Sequence, residues 1–407
     1  MEQSDILRYQ RERTLAEVPG FSAGLQLRLP DGLRVYLARS PSEFTLTFGD
    51  DVALHYDLQG RFTKFVTLSD YHRRSLSGKI LHTVKGHGIQ REIVADDSVI
   101  ERARERVLAV QRRFDTATVE FARPEQAREI FRPLLEAAAR FDRAASRADA
   151  ERFRALYRDV AILPPDQYNA LVFQATEGCA YRGCLFCDFY RDRPFRAKSP
   201  EEFAAHVEAV LAFHGEGWRQ RRFVFLGEAN ALGLPTKTLS AMLRVVRERV
   251  ALPVGSFVDA FTRRPDFAVL APLGLRRVYV GMETGCDELL RWLRKPATAE
   301  SVTATVNAAK AAGLVVGVIV LLGAGGERFS ESHVRETVRV LNALPLGKGD
   351  YIYFSPLVVR PGSRYDAPLL SPELMQQQER AIRVGLRFDG GRGRPYLAHY
   401  EIESFVY

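Results

Sequence analysis

No apolar run in the 407 residues approaches the ~20 that a membrane span needs, so the chain is expected to be soluble, with no membrane partner. The N-terminal stretch, with Glu2, Asp5, Arg8 and Arg11, has no secretory apolar core, and a cytoplasmic location is the expectation. Cysteine is scarce: four in 407 residues cannot build a disulfide framework and fit a reducing compartment, where thiolates stay free for metal. Acid is short relative to base, giving a net charge of +8 and a pI near 9.3, which permits an anionic partner without demanding one. Much of the base is interleaved with acid, as along Arg102, Arg104, Glu105, Arg106, Arg112, Arg113 and Asp115, the pattern of a solvated helix face.

Residues 1–97 are expected to form an N-terminal antiparallel β-meander domain. Leu25, Leu27 and Leu29 alternate with Gln26 and Arg28, Pro30-Asp31-Gly32 turns the chain, and Leu33, Val35 and Leu37 alternate again. Phe44, Leu46 and Phe48, then Val52, Leu54 and Tyr56 beyond the Gly49-Asp50-Asp51 turn, continue the pattern. Tyr71 to His87 reads as a basic, glycine-punctuated solvated loop, with phosphate contact the minor reading. Asp70-x-His72 is similar to the start of a cobalamin-binding signature, but Ser75 stands where that signature needs glycine, and the reading is rejected. Residues 98–163 read as a helical linker, with Val99, Ala103, Val107, Val110 and Phe114 on one face and Ala127, Ile130, Phe131, Leu134, Ala138 and Phe141 on another. Pro164-Pro165 marks the boundary.

From residue 164 to 365 strand and helix patterns alternate. The strands are Leu171–Thr176, Arg222–Glu228, Val254–Ala260, Arg276–Met282, Leu314–Leu322 and Tyr351–Val359. The helices are Pro200–Phe213, Thr236–Val250, Pro265–Leu273, Asp287–Leu293 with Ala299–Ala312, and Ser330–Leu344. Near-continuous apolar strands predict an α/β fold with a parallel sheet covered by helices, either a closed or partial TIM-like barrel or an open doubly wound sheet. Either architecture places chemistry at the C-terminal strand ends. Residues 366–407 are left as a C-terminal helix and tail.

The loop after the first of these strands, Thr176 to Cys187, holds three of the four cysteines as C-x4-C-x2-C among glycines. Clustered soft thiolates favour iron–sulfur or zinc ligation over packing. Structural zinc wants a closed shell of four, and the remaining cysteine, Cys286, is about a hundred residues away with no histidine in the loop, which favours an open iron–sulfur cluster. Polar and glycine-rich signatures end the other strands too: Leu226-Gly227-Glu228-Ala229-Asn230, Asp259, Gly281-Met282-Glu283-Thr284-Gly285 and Gly323-Ala324-Gly325-Gly326-Glu327. One rim collecting them all is what a single active site requires.

On these motifs residues ~166–365 resemble the core of the radical S-adenosylmethionine (SAM) enzymes, in the elongator-type and coproporphyrinogen-oxidase-like branch. The resemblance implies a partial (β/α)6 TIM-like barrel, a [4Fe–4S] cluster whose fourth iron takes SAM, and reductive cleavage to a 5′-deoxyadenosyl radical that abstracts a substrate hydrogen. It implies Cys179, Cys184 and Cys187 as ligands, Phe186 and Ile319 against the adenine, and Gly227-Glu228 at the methionine ammonium. It also implies Glu283 near the ribose and Arg294, on the basic segment Asp287 to Lys295, at the SAM carboxylate. Ser355-Pro356-Leu357 with Pro361-Gly362 resembles the sixth strand and its turn. The family's usual spacing is C-x3-C-x2-C; here the first gap is one residue longer, beside Gly183, and Leu226 replaces the first glycine of the glycine–glycine–glutamate motif. No second cysteine group follows, which disfavours auxiliary clusters.

An electron donor such as flavodoxin or ferredoxin is implied as a partner. Catalytic residues stay open: Cys286 as a hydrogen donor and Asp259 are weak candidates beside the capping roles either could have, and His399 on a Tyr396–Tyr407 lid reads more readily as a surface histidine. The substrate is read as a small molecule in the barrel mouth. The alternative is RNA, gripped by Arg73, Arg74, Lys79 and Lys85, and a non-enzymatic metal-binding module is the third reading.

Overall fold

The computed structural model describes residues 23–49, 51–85, 89–191, 193–229, 231–360, 362–388 and 391–407. Glu2, Asp5, Arg8, Arg11, Asp50, His87, Asn230 and Pro361, used above, lie outside the described residues, as does the side chain of Lys85. Contacts divide the chain into two compact units, one of residues 1–159, 211–220 and 403–407, the other of 160–210 and 221–402.

In the first unit the alternating pattern produces β1 (Ala23–Arg28), β2 (Arg34–Arg39), β3 (Glu43–Phe48) and β4 (Val52–Asp57), as the sequence indicates. The meander then continues through β5 (Phe62–Val66), β6 (Asp70–Arg74), β7 (Ile80–Lys85) and β8 (Ile89–Val94). Helix α1 (Ser98–Arg113) follows, then β9 (Thr118–Arg123), α2 (Ala127–Ala139) and α3 (Arg143–Leu156). Two sequence expectations are corrected. The basic stretch from Tyr71 is a strand pair rather than a loop, its register fixed by Arg74 opposite Ile80. The helical region is broken by β9, whose Thr-Val-Glu-Phe alternation lets it pair with the open edge of β1.

The nine strands run in the order β8-β7-β6-β5-β4-β3-β2-β1-β9. One face buries Leu25, Leu37, Phe44, Leu46, Leu54 and Tyr56 in a core shared with Ala103, Val107 and Val110 of α1 and with Phe131 and Leu135 of α2. Alternation in the strands and the helical period in α1 and α2 therefore serve one core. Arg74 does not face a partner molecule. Its guanidinium is buried and donates to Asp149 Oδ2 at 3.0 Å and to the Ser146 carbonyl at 2.9 Å. Lys79 reaches Asp159 at 3.3 Å. Asp149 is wholly buried and also meets Arg61 at 3.5 Å and Arg152 at 3.0 Å. Asp149→Ala strands two buried guanidinium groups, and an expected loss of about 3–5 kcal/mol should appear as an earlier urea transition by circular dichroism.

The second unit begins with β10 (Leu171–Gln174) and a short ladder of β11 (Thr176–Glu177) with β12 (Arg196–Ala197). Then come α4 (Pro200–His214, in this unit to Val210), β13 (Val224–Gly227), α5 (Thr236–Arg249), β14 (Val254–Val258) and α6 (Phe267–Leu270). They continue as β15 (Leu275–Glu283), α7 (Asp287–Trp292), α8 (Ala299–Ala311), β16 (Val315–Leu322), α9 (Gly326–Ala343), β17 (Tyr351–Pro356), α10 (Pro372–Gly385) and β18 (Tyr396–His399). All six strands read from the sequence are present, parallel and in chain order, forming the α/β partial barrel. A seventh, β18, adds in parallel to β17, so the segment carrying His399 is sheet rather than lid. Helix α9 starts at Gly326, four positions before the expected Ser330, which removes Gly326 and Glu327 from the glycine loop.

The floor of the barrel is tied by one carboxylate. Asp166, just ahead of β10, accepts from Tyr279 Oη and Tyr353 Oη at 2.6 Å each and from Arg277 Nη1 at 2.5 Å. One residue thereby links the fourth and sixth strands at the end opposite the C-terminal rim. No helix among the described residues is long and apolar enough to cross a membrane.

Candidate active site

Because β10 and the strands after it are parallel, their C-terminal ends share a rim, and a cavity opens there. Cys179, Cys184, Cys187, Phe186, Asp259, Glu283, Lys295 and Ile319 all line it, with the aromatic rings of Phe189, Phe257 and Tyr279. Five segments that are distant in sequence thus contribute to one wall.

The cysteine loop is tied down by its backbone and flanks. Gly178 has φ +72°, and a Cβ there would lie 2.9 Å from the Pro194 carbonyl, so only glycine fits that turn. Its N–H donates to Glu228 Oε2 at 2.6 Å. Tyr181 Oη donates to the Arg294 carbonyl at 2.7 Å, and Leu185 N–H to the Leu293 carbonyl at 2.9 Å. Arg364 donates to the carbonyls of Arg182 and Cys184 at 2.5 and 3.3 Å. The cysteines are all free, and burial pushes the Cys179 and Cys184 thiols up to about 12 and raises that of Cys187. Desolvated in this way they stay protonated; a bound metal exchanges for those protons.

Opposite the loop, β15 carries a register irregularity between Gly281 and Glu283, and Glu283 sits at φ +61°. Glu283 meets the buried Lys295 Nζ at 2.6 Å, and the same ammonium donates to the Gly281 carbonyl at 2.7 Å. A Cβ on Gly281 would fall 2.4 Å from Glu283 Oε1, so the ion pair needs a glycine beneath it. Lys295 also lies 5.9 Å from the centre of the Phe186 ring. Asp259 follows β14 with its Oδ2 buried and unpartnered, and desolvation pushes its carboxyl up to about 6. The helix-capping role open to it belongs to Asp266, which accepts from the Ala268 and Val269 N–H groups.

The sequence model of the radical SAM superfamily matches residues 173–341. Those residues are a radical SAM domain. No curated protein matches the chain in sequence. Among solved structures, coproporphyrinogen III oxidase from Escherichia coli is 17% identical, covering 57% of this chain and 58% of its own at TM-score 0.40. Methylornithine synthase is 15% identical over 60% and 80%, at TM-score 0.39. A cobalamin-dependent S-adenosylmethionine radical enzyme, OxsB, is 17% identical at TM-score 0.36, and the match covers 53% of this chain but only 31% of that enzyme's length.

The match covers residues 173–341 alone, and the cofactors of that superfamily are a [4Fe–4S] cluster and SAM. Among the described residues no three Cys, His, Asp or Glu side chains close on a point as ligands of a single ion would. A four-iron cluster asks for another arrangement, since each cysteine binds its own iron and the sulfurs stay apart.

Within the radical SAM domain the expected residues divide. The three cysteines, Phe186, Glu283, Ile319 and Asp259 share the cavity. Gly227 and Glu228 line a smaller cleft behind it, where Glu228 is engaged by Gly178, by Gln174 Nε2 at 3.0 Å and by Arg193 at 3.2 Å. Cys286 is buried in an apolar cluster with Leu289, Leu321 and Phe329. His399 is exposed, 3.5 Å from Glu379.

The Arg294 side chain is exposed and outside the cavity wall, and the buried cation on that wall, Lys295, is a residue the sequence reading missed. Arg294 takes the left-handed position after α7, φ +53°, while Lys295 N–H bonds back to the Leu290 carbonyl at 2.9 Å. This is the turn that usually uses glycine to end a helix, and it swings the next residue inward. The available signal was Pro296, which forbids the helix from continuing.

Glu228 offers a pH test. Desolvation pushes its carboxyl up to about 7, above the ordinary carboxylate value, so its contribution to stability is complete in acid and lost as pH rises through 7. Between pH 5 and 8 the metal-free parent should lose on the order of 2 kcal/mol that Glu228→Gln, always neutral, does not lose, read as a flatter dependence of Tm on pH.

Proposed function

We propose that Cys179, Cys184 and Cys187 hold a [4Fe–4S] cluster with which the protein cleaves SAM reductively, and that the resulting 5′-deoxyadenosyl radical abstracts hydrogen from a small molecule in the same cavity. The observation that carries this is the shared wall: three desolvated thiols, an aromatic ring, an acid and a buried ammonium at the C-terminal ends of parallel strands. Three cysteines without a fourth thiol in the loop suit a cluster with one iron left for SAM.

The chain's own groups supply binding and order. Lys295, fixed by Glu283 and the Gly281 carbonyl, presents positive charge suited to the SAM carboxylate. The unpaired Oδ2 of Asp259 is an acceptor suited to its ammonium. Phe186 and Ile319 give apolar contact for the adenine, and Glu228 anchors the cluster loop through Gly178. A reduced flavodoxin or ferredoxin is the proposed electron donor. Electron paramagnetic resonance of the anaerobically reconstituted, reduced protein tests the reading: a [4Fe–4S] signal should appear and change when SAM is added. A signal indifferent to SAM, with no 5′-deoxyadenosine formed, would overturn it.

A further inference from the structure

The mouth of the cavity carries more positive charge than the site's own acids balance. Arg182 and Arg191 line it. Arg360 lies over the ring of Phe189, another lining residue, at 5.0 Å. Arg364 is joined to the Arg182 carbonyl, and Arg294 shares its carbonyl with the hydroxyl of the lining residue Tyr181. Arg263 follows the lining residue Phe261 by two positions. All of these except the half-buried Arg191 are exposed.

Their partners set this group apart from the arginines elsewhere in the chain, which commonly meet acids, as Arg132 meets Asp115 and Arg249 meets Glu208. At the mouth the bonds go to main-chain carbonyls. Arg182 donates to the Arg193 carbonyl at 3.4 Å, and Arg191 to that of Gly362 at 3.2 Å. Only Arg191 has an acid, Asp188 at 2.5 Å, among the described residues. A carbonyl orients a guanidinium without neutralising it, so the collar keeps its charge and its remaining N–H donors for an incoming group. Lys295 is paired with Glu283 and assigned to SAM, and the remaining walls are mainly aromatic and aliphatic. Charge at the lip and apolar surface below describe the ligand by complement.

We infer that the substrate is an amphiphilic acid: an apolar body, flat enough to lie among Phe189, Phe257 and Tyr279, bearing a carboxylate or phosphate that the arginine collar holds at the lip. This rests on the radical SAM reading and deepens it by naming the class of substrate. Guanidinium forks bind both anions in pairs of N–H bonds, so the collar's chemistry is common to the two. Arg182 and Arg191 line one cavity and the other arginines adjoin it, rather than following a track, which favours a single small anion over a nucleic acid strand.

Isothermal titration calorimetry on the reconstituted protein with SAM bound tests it, using phenyl phosphate, benzoate, phenol and a ten-nucleotide RNA. Phenyl phosphate or benzoate should bind at least about ten-fold tighter than phenol, from charge-assisted bonds, and whichever is tighter names the acid. Arg182→Gln with Arg360→Gln should remove about ten-fold of that preference and leave phenol unaffected. Arg182 and Arg360 are exposed and hold no buried partner, so this variant should melt like the parent. Equal binding of phenol, anion binding unmoved by the two substitutions, or binding of the RNA alone would each overturn the inference. Formation of 5′-deoxyadenosine by the unmodified protein is measured separately: if it fails, the radical SAM reading falls, whatever the anions do.

Discussion

Cys184→Ala should reduce SAM cleavage by more than about 100-fold, since even changes to groups behind metal ligands cost ten- to a hundred-fold. Cys184 is buried on the cavity wall between Gly183 and Leu185, and its neighbour Leu185 is pinned to the Leu293 carbonyl at 2.9 Å. Alanine removes the thiol and leaves that backbone bond in place. The variant should therefore fold and melt as the parent does, while its iron content after reconstitution drops and 5′-deoxyadenosine falls to background. Iron analysis and chromatography of the products read the two effects. Parental turnover in this variant would remove Cys184 from the ligand set. Cys286→Ala is the matching control, because that thiol sits in an apolar cluster and does not line the cavity, so its loss should leave cleavage unchanged.

Lys295→Met should act on two quantities that can be separated. It leaves Glu283 buried without its cation, and breaking a buried pair on one side costs about 3–5 kcal/mol. It also removes the ammonium from the cavity, and affinity for SAM should fall by about ten-fold or more, as for a charged hydrogen bond. Adding Glu283→Gln removes the stranded charge, so the double variant should regain most of the stability and none of the affinity. Urea denaturation and SAM-binding calorimetry together decide the matter. Recovery of both in the double variant would make Lys295 a structural counter-ion only.

Much of this site could be read from the sequence, and the reasons are local. The cysteine spacing survives any fold, and the near-continuous apolar runs of the six strands leave few alternatives to a parallel sheet with its chemistry on one rim. What escaped notice depends on tertiary partners. Thr118–Arg123 looks like part of a helical stretch until the free edge of β1 is known to be waiting for it. Arg74 looks like a phosphate contact until Asp149 arrives from α3, 75 positions away. Lys295 differs from Arg294 by one position, and a single left-handed residue decides which of the two faces the cavity. Asp259 resembles a helix cap in sequence, yet the helix begins later and takes Asp266.

The parallel sheet has two ends that do not meet: β10 stands at one edge of the seven-stranded order and β18 at the other. Beneath them Asp166 holds Tyr279, Tyr353 and Arg277 together. The barrel therefore has a fixed base and a circumference that no hydrogen-bond register closes. A closed eight-stranded barrel sets its bore by strand number and stagger. Here no such closure fixes the opening, and the cysteine loop lines it, so altering loop residues can change the size of molecule admitted while the ladder underneath stays as it is.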